Sequence, residues 1–257
     1  MAWYLYIAVV GAGFAAGFIN TLAGSGSLVT LPLLMFIGLP AVVANGTNRI
    51  AIFMQNIVAV SSFGQQKILD FKRGAMLAVP AVIGSLLGAR IAVNLNEQAM
   101  RTAIGILMVI MLFVIWIRPK RWLVGRPEMQ QGRLTALQIV IFFLIGVYGG
   151  FIQAGVGIFL LAGLVLGAGY DLVRANAVKV FIVFCYTPFA LAVFFMNSQI
   201  NWKVGIILGI GNMLGAWVAS RMAVKRGAGF VRWLLIAVVI VSAAKLLGLL
   251  SLISSIF

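Results

Sequence analysis

Apolar runs separated by short polar breaks fill almost the whole chain. Residues 3–22 form the first run, 23–26 interrupt it, and 27–37 are a short second piece. Spans at 41–63, 74–93 and 98–117 follow, then the longest polar connection, 118–133. Residues 134–153 begin again, with a break at 154–157, a short piece at 158–168, and spans at 173–197, 202–222 and 230–251. Runs of about 20 apolar residues match the thickness of a bilayer core. The pattern predicts an all-α polytopic membrane protein with an N-terminal membrane repeat over 1–117, a basic linker over 118–133 and a C-terminal membrane repeat over 134–257.

The two halves resemble each other in sequence order. Gly17-Phe18-Ile19-Asn20 parallels Gly150-Phe151-Ile152-Gln153, and Ala23-Gly24-Ser25-Gly26 parallels Ala154-Gly155-Val156-Gly157. Gly38 aligns with Gly169, Ala44-Asn45 with Ala175-Asn176, Gly84–Ala89 with Gly211–Ala216, and Arg101 with Arg232. The offset stays near 130 residues, which chance similarity between glycine-rich segments does not explain. Internal repeats of this kind mark transporters. The breaks, rich in Gly and in the first half followed by Pro32 and Pro40, stop a helix within lipid. Such backbone is tolerated only where protein or a water-filled cavity satisfies it.

The charges then sort the topology. Eight plain spans would put the Arg221, Lys225, Arg226 and Arg232 cluster outside. If each broken segment enters and returns to the same side, Lys67, Lys72, Arg73, the linker, Arg174 and that cluster all lie inside. Only Arg90, Arg101 and Lys203 then lie outside, as the positive-inside rule favours. The expectation is two inverted-topology repeats, each a broken, re-entrant helical hairpin followed by three transmembrane helices, with both termini outside. The N-terminus, with Trp3, Tyr4 and Tyr6 and no basic region before the apolar run, reads as a retained first helix rather than a cleaved signal.

Composition narrows the chemistry. The 257 residues are 63% hydrophobic and 9% charged, with 19 Lys+Arg against 4 Asp+Glu, one Cys and no His. A net charge of +15 would suggest nucleic acid in a soluble protein, but here it follows from loop topology, so no nucleic-acid partner is expected. Without His, paired carboxylates or a nucleophile–base set, neither an enzyme, a metal site nor a cofactor is expected. The acids Asp70, Glu97, Glu128 and Asp171 avoid the middle of the spans, which leaves no carboxylate relay for proton pumping. Asp171 stands three residues before Arg174, a spacing that suits a local pair.

Arg49, Lys179 and Lys245 fall within or at the ends of apolar runs. For Lys245 headgroup contact is the simpler reading. Arg49 and Lys179 each follow an Asn by three or four residues at equivalent places, which favours a site over snorkelling. Around them stand neutral hydrogen-bonding groups. The candidate substrate-binding set is Asn20, Ser25, Asn45, Thr47, Asn48, Arg49, Gln153, Asn176 and Lys179, with the hairpin breaks at Gly24, Gly26, Gly155 and Gly157. Cations, amides and free N–H groups at helix starts together suit an oxyanion. Gln55 and Asn56, aligned with Tyr186 and Thr187, lie deeper in their helix.

The stretches GFINTLAGSGSLVTLPLL and GLPAVVANGTNRIA in the first half, with GGFIQAGVGIFLL and ANAVKVF in the second, resemble the sulfite and organosulfonate exporter family, TauE/SafE, also called TSUP. The resemblance covers nearly the whole chain, although the first break reads Gly-Ser-Gly-Ser where many members carry more Gly. It implies an inner-membrane permease for sulfite, sulfoacetate or related sulfur anions, with Asn45, Asn48, Arg49, Asn176 and Lys179 at the site. The expected partners are a small anionic substrate and the lipid bilayer; a homodimer is compatible with the sequence. A passive anion channel, or a permease for another small oxyanion, is the alternative.

Overall fold

The computed structural model describes residues 3–116 and 134–246; the linker and the C-terminal end lie outside them. Up to residue 197, each apolar run becomes a helix within a few residues of its expected ends. The first hairpin is α1 (Trp3–Ala23) and α2 (Ser27–Phe36). Helices α3 (Ala41–Gln65), α4 (Phe71–Val93) and α5 (Glu97–Trp116) follow. The second hairpin is α6 (Ala136–Phe151) and α7 (Val156–Ala162), which widens into a π-helical turn over Gly163–Gly167. Helices α8 (Leu172–Met196) and α9 (Trp202–Leu246) close the chain.

Among the described residues three segments are long and apolar enough to cross a membrane: Phe71–Val93, Leu172–Met196 and Trp202–Arg226. Helix α3 is as long, but its polar residues, from Asn45 to Asn56, lower its hydropathy and are buried inside the protein. By contrast, Val79, Ile83 and Leu87 of α4 point outward, where lipid would cover them.

One expectation fails. The spans at 202–222 and 230–251 were to be separate, yet α9 runs unbroken for 45 residues. The intervening Lys225-Arg226-Gly227-Ala228-Gly229 holds two glycines but no proline and no capping Ser, Thr, Asp or Asn. Each glycine costs a helix about 1 kcal/mol, which is not enough to stop it. The outside C-terminus lies beyond the described residues.

Each hairpin packs on the other half. Helix α1 runs parallel to α9, and α6 runs parallel to α4. Both seams are glycine-lined. A Cβ on Gly13 would fall 2.6 Å from the Leu208 carbonyl oxygen, and one on Gly17 would meet the backbone of Asn212. At the matching seam, Gly146 meets Ala81 and Gly150 meets Ser85. Small residues let backbones approach where lipid supplies no hydrophobic drive.

Hydrogen bonds between loops define two ends of the bundle. At one, Glu97 accepts from the Ala41 amide (2.7 and 2.9 Å), Gln199 donates to Val93 O, and the Asn201 amide donates to Thr47 Oγ1. At the other, Gln138 donates to Gly167 O, and the Tyr170 hydroxyl donates to Asp70 Oδ2 at 2.8 Å. Burial, together with that bond to Asp70, holds the Tyr170 phenol above its ordinary pKa. The first hairpin therefore begins and ends at the Glu97 end, and the second at the Asp70 end. The described acids all serve helix starts. Asp70 and Asp171 cap α4 and α8, and Glu97 opens α5. Asp171 also pairs with Arg174 (Oδ2 to Nε, 3.7 Å).

Candidate functional site

The two hairpin tips meet near the middle of the bundle. Gly24 and Gly155 both take the left-handed conformation, φ +74 in each case, which an L side chain rarely adopts. These twin residues turn α1 into α2 and α6 into α7. The tips touch backbone to backbone. A Cβ on Gly24 would lie 2.4 Å from Gly157 Cα, and one on Gly157 would lie 2.3 Å from Gly24 Cα.

Breaking a helix within the membrane leaves carbonyls at its C-terminal end without partners. Here each broken end is met by a cation from the other half. Arg49 of α3 is fully buried. It donates from Nη1 to Gly149 O (3.0 Å) and from Nη2 to Gly150 O (2.6 Å) and Phe151 O (3.4 Å), at the end of α6. It also reaches Gln153 Oε1 (3.3 Å) and Asn45 Oδ1 (3.5 Å), and its guanidinium lies 4.6 Å from the centre of the Phe194 ring. Asn45 Nδ2 adds a bond to Phe151 O (2.7 Å). In the counterpart arrangement, Lys179 Nζ of α8 donates to Asn20 O (3.0 Å) and Thr21 O (2.8 Å), at the end of α1. Its third bond goes to Asn176 Oδ1 (2.7 Å). Cations at helix C-termini are favoured by the helix dipole as well as by the open carbonyls.

These cations also orient the amides beside them. Arginine and lysine only donate. The oxygen of Gln153 must therefore face Arg49, and that of Asn176 must face Lys179. Their NH2 groups point elsewhere, and neither Gln153 Nε2 nor Asn176 Nδ2 has a partner.

A small cavity lies where α1, α3, α8 and the second tip converge. Asn20, Gln55, Asn56, Gln153 and Lys179 form its polar wall, and Val156, Val180 and Val183 its apolar one. Among the described residues, its fully buried, unpartnered side-chain atoms are Gln55 Nε2, Asn56 Nδ2 and Gln153 Nε2. All are N–H donors, and no described acid stands on its wall.

The candidate residues thus divide. Asn20, Gln153 and Lys179 line the cavity, with Asn176 behind Lys179 and with Asn45 and Arg49 behind Gln153. Asn48 accepts from Thr30 of α2 (2.7 Å), which ties the hairpin to α3. Thr47 bonds the loop at Asn201, and Ser25 is buried at the first tip. The amides expected to be free at the starts of α2 and α7 are partly used within the turns, as Leu28 bonds Ser25 O and Ile158 bonds Gly155 O. Sequence reading notes Gln55 and Asn56 deep in their helix but leaves them, with Asn212, outside the candidate set. Gln55 Oε1 accepts from Asn20 Nδ2 (3.2 Å) and Asn212 Nδ2 (3.3 Å), joining α1, α3 and α9. The available signal was an adjacent amide pair deep in a membrane-length helix.

Residues 9–246 match the family described as Sulfite exporter TauE/SafE. The chain is 30% identical to a probable membrane transporter protein, ORF9, of a Sinorhizobium species, over 96% of this chain and 94% of that one. A probable membrane transporter protein of Haemophilus influenzae is 26% identical over 91% of both chains. Probable membrane transporter protein YfcA of Escherichia coli is 26% identical over 90% of this chain and 86% of its own. No solved structure matches the chain.

Proposed function

Because this chain belongs to the sulfite exporter TauE/SafE family and is a membrane transporter, we propose that it is a secondary permease for small sulfur-containing anions such as sulfite or an organosulfonate. The observation that carries this reading is the sign of the central cavity. A buried ammonium and three unpartnered amide N–H groups face it, and no described acid does. Unpaired buried donors each cost about 1–3 kcal/mol, a cost that an anion's oxygens would remove. A cation would meet the Lys179 charge and no carboxylate there.

In this reading Gln153 and Asn20 contact the anion, Lys179, whose three N–H groups bond protein oxygens, attracts it by charge, and Asn176, Asn45 and Arg49 hold these groups in place. The two halves form inverted repeats, with the Lys67, Lys72, Arg73 and Arg174 end facing the cytoplasm of an inner-membrane protein. Rocking of the halves parts the tips and alternates access. A membrane potential of 100 mV, negative inside, favours outward movement of an anion by about 2.3 kcal/mol per charge, so export needs no ATP.

Uptake of labelled sulfoacetate into proteoliposomes tests the proposal. Saturable flux that shows counterflow is expected, together with its loss in Lys179→Gln. Single-channel currents without counterflow would replace the permease by a passive anion channel, and equal flux in the Lys179→Gln protein would remove the anion site.

A further inference from the structure

We propose that Gln55 and Asn56 of α3 form a second binding wall for the anion opposite the valines of α8, and that the site is single and lies off the axis relating the two halves. This rests on the anion reading of the cavity.

Three observations carry it. First, both side chains are about 1% exposed, both line the cavity, and both leave an amide N–H without a partner there. Second, Gln55 is held in place by amides from two other helices. Its oxygen accepts from Asn20 Nδ2 and Asn212 Nδ2 at once, and its NH2 has no partner. Asn212 is accordingly a positioning residue, acting through Gln55. Third, the equivalent places in α8 do not repeat the arrangement. Tyr186 and Thr187 stand there; Thr187 Oγ1 bonds its own helix at Val183 O (2.6 Å), and neither is on the cavity wall. Beside Lys179, the α8 side instead offers Val180 and Val183.

The halves thus share a backbone plan but not a lining. An anion seated on Lys179 would have Gln55 and Asn56 as donors along α3. At the places of Gln55 and Asn56, α8 has Tyr186 and Thr187, and neither lines the cavity. One anion per chain follows.

Isothermal titration of the purified full chain with sulfoacetate, in chloride-free detergent buffer, tests this. The Gln55→Glu substitution keeps an oxygen for Asn20 and Asn212 but replaces the cavity donor by an acceptor. Binding at least 10-fold weaker than wild type is expected, with a wild-type stoichiometry of one. Asn56→Asp makes the same change at a side chain bonded to nothing else, and decides the matter if Gln55→Glu does not purify as a monodisperse protein. Asn212→Ala should weaken binding less than Gln55→Glu, and Gln55→Glu should gain nothing further from it. Wild-type binding with either acidic variant within two-fold would overturn the second wall and leave the anion site standing. Two equivalents bound per chain would overturn the off-axis site. No binding by wild type would overturn both this inference and the function on which it rests.

Discussion

The contact between the hairpin tips can be tested by separating backbone strain from steric collision. Three glycines provide the comparison. Gly38 has φ +97, but a Cβ there would meet nothing within 4 Å. Gly38→Ala therefore carries strain alone, about 1–2 kcal/mol for an L residue in the left-handed region. Gly157 is helical, but its Cβ would fall 2.3 Å from Gly24 Cα. Gly157→Ala thus carries collision alone, and because the neighbour is backbone it cannot swing aside; overpacking of this kind costs about 1–3 kcal/mol. Gly24→Ala carries both, about 2–5 kcal/mol. Thermal unfolding in detergent should rank wild type above Gly38→Ala, with Gly24→Ala lowest. Sulfoacetate flux in proteoliposomes should persist in Gly38→Ala and fall steeply in Gly157→Ala, where the tips can no longer close. A Gly157→Ala protein with wild-type melting and wild-type flux would refute the contact and the gating role given to it.

Other outcomes follow from the hydrogen bonds. Arg49→Gln should abolish flux, and Arg49→Lys should not restore it, because one ammonium cannot reach acceptors spread from Gly149 to Gln153; full flux in Arg49→Lys would contradict this. Tyr170→Phe removes the bond to Asp70 and should lower stability by about 0.5–1.5 kcal/mol, read by thermal unfolding, while flux continues. In a Cys185→Ala background, Gln66→Cys should react with a membrane-impermeant maleimide only from the cytoplasmic side and Ser198→Cys only from the opposite side; labelling of both from one side would defeat the proposed sidedness.

Much of the fold was legible because lipid punishes irregular backbone. A helix break within an apolar run shows as clustered glycine, and the breaks at Gly24 and Gly155 are legible that way. The unbroken α9 is not legible because a basic cluster between apolar runs reads as a loop, although Lys and Arg are good helix formers and nothing nearby caps a helix. Arg49 and Lys179 stood out by the cost of their burial. Their partners did not, since backbone carbonyls about 100 to 160 residues away leave no mark in sequence. Gln55 and Asn56 stay outside the candidate set for a related reason. Amides in a membrane helix commonly serve packing, and only the meeting of α1, α3 and α9 brings Gln55 to Asn20 and Asn212. The apolar side of the cavity was hidden as well, because Val180 and Val183 are indistinguishable in sequence from valines that face lipid.

The crossed packing of the hairpins has a consequence for biosynthesis. Helix α6 finds its partner α4 already made when it leaves the ribosome. Helix α1 must wait for α9, which begins about 200 residues later, a delay of roughly 10–40 s at ordinary rates of translation. During that interval the carbonyls of Asn20 and Thr21 lack Lys179, and the glycine face of α1 lacks its seam. The newborn first half is thus an incomplete object that membrane chaperones and proteases can inspect, and the arrival of the second half ends its exposure. Neither half supplied alone would be complete, whereas two fragments made together in one membrane have every surface they need to find each other.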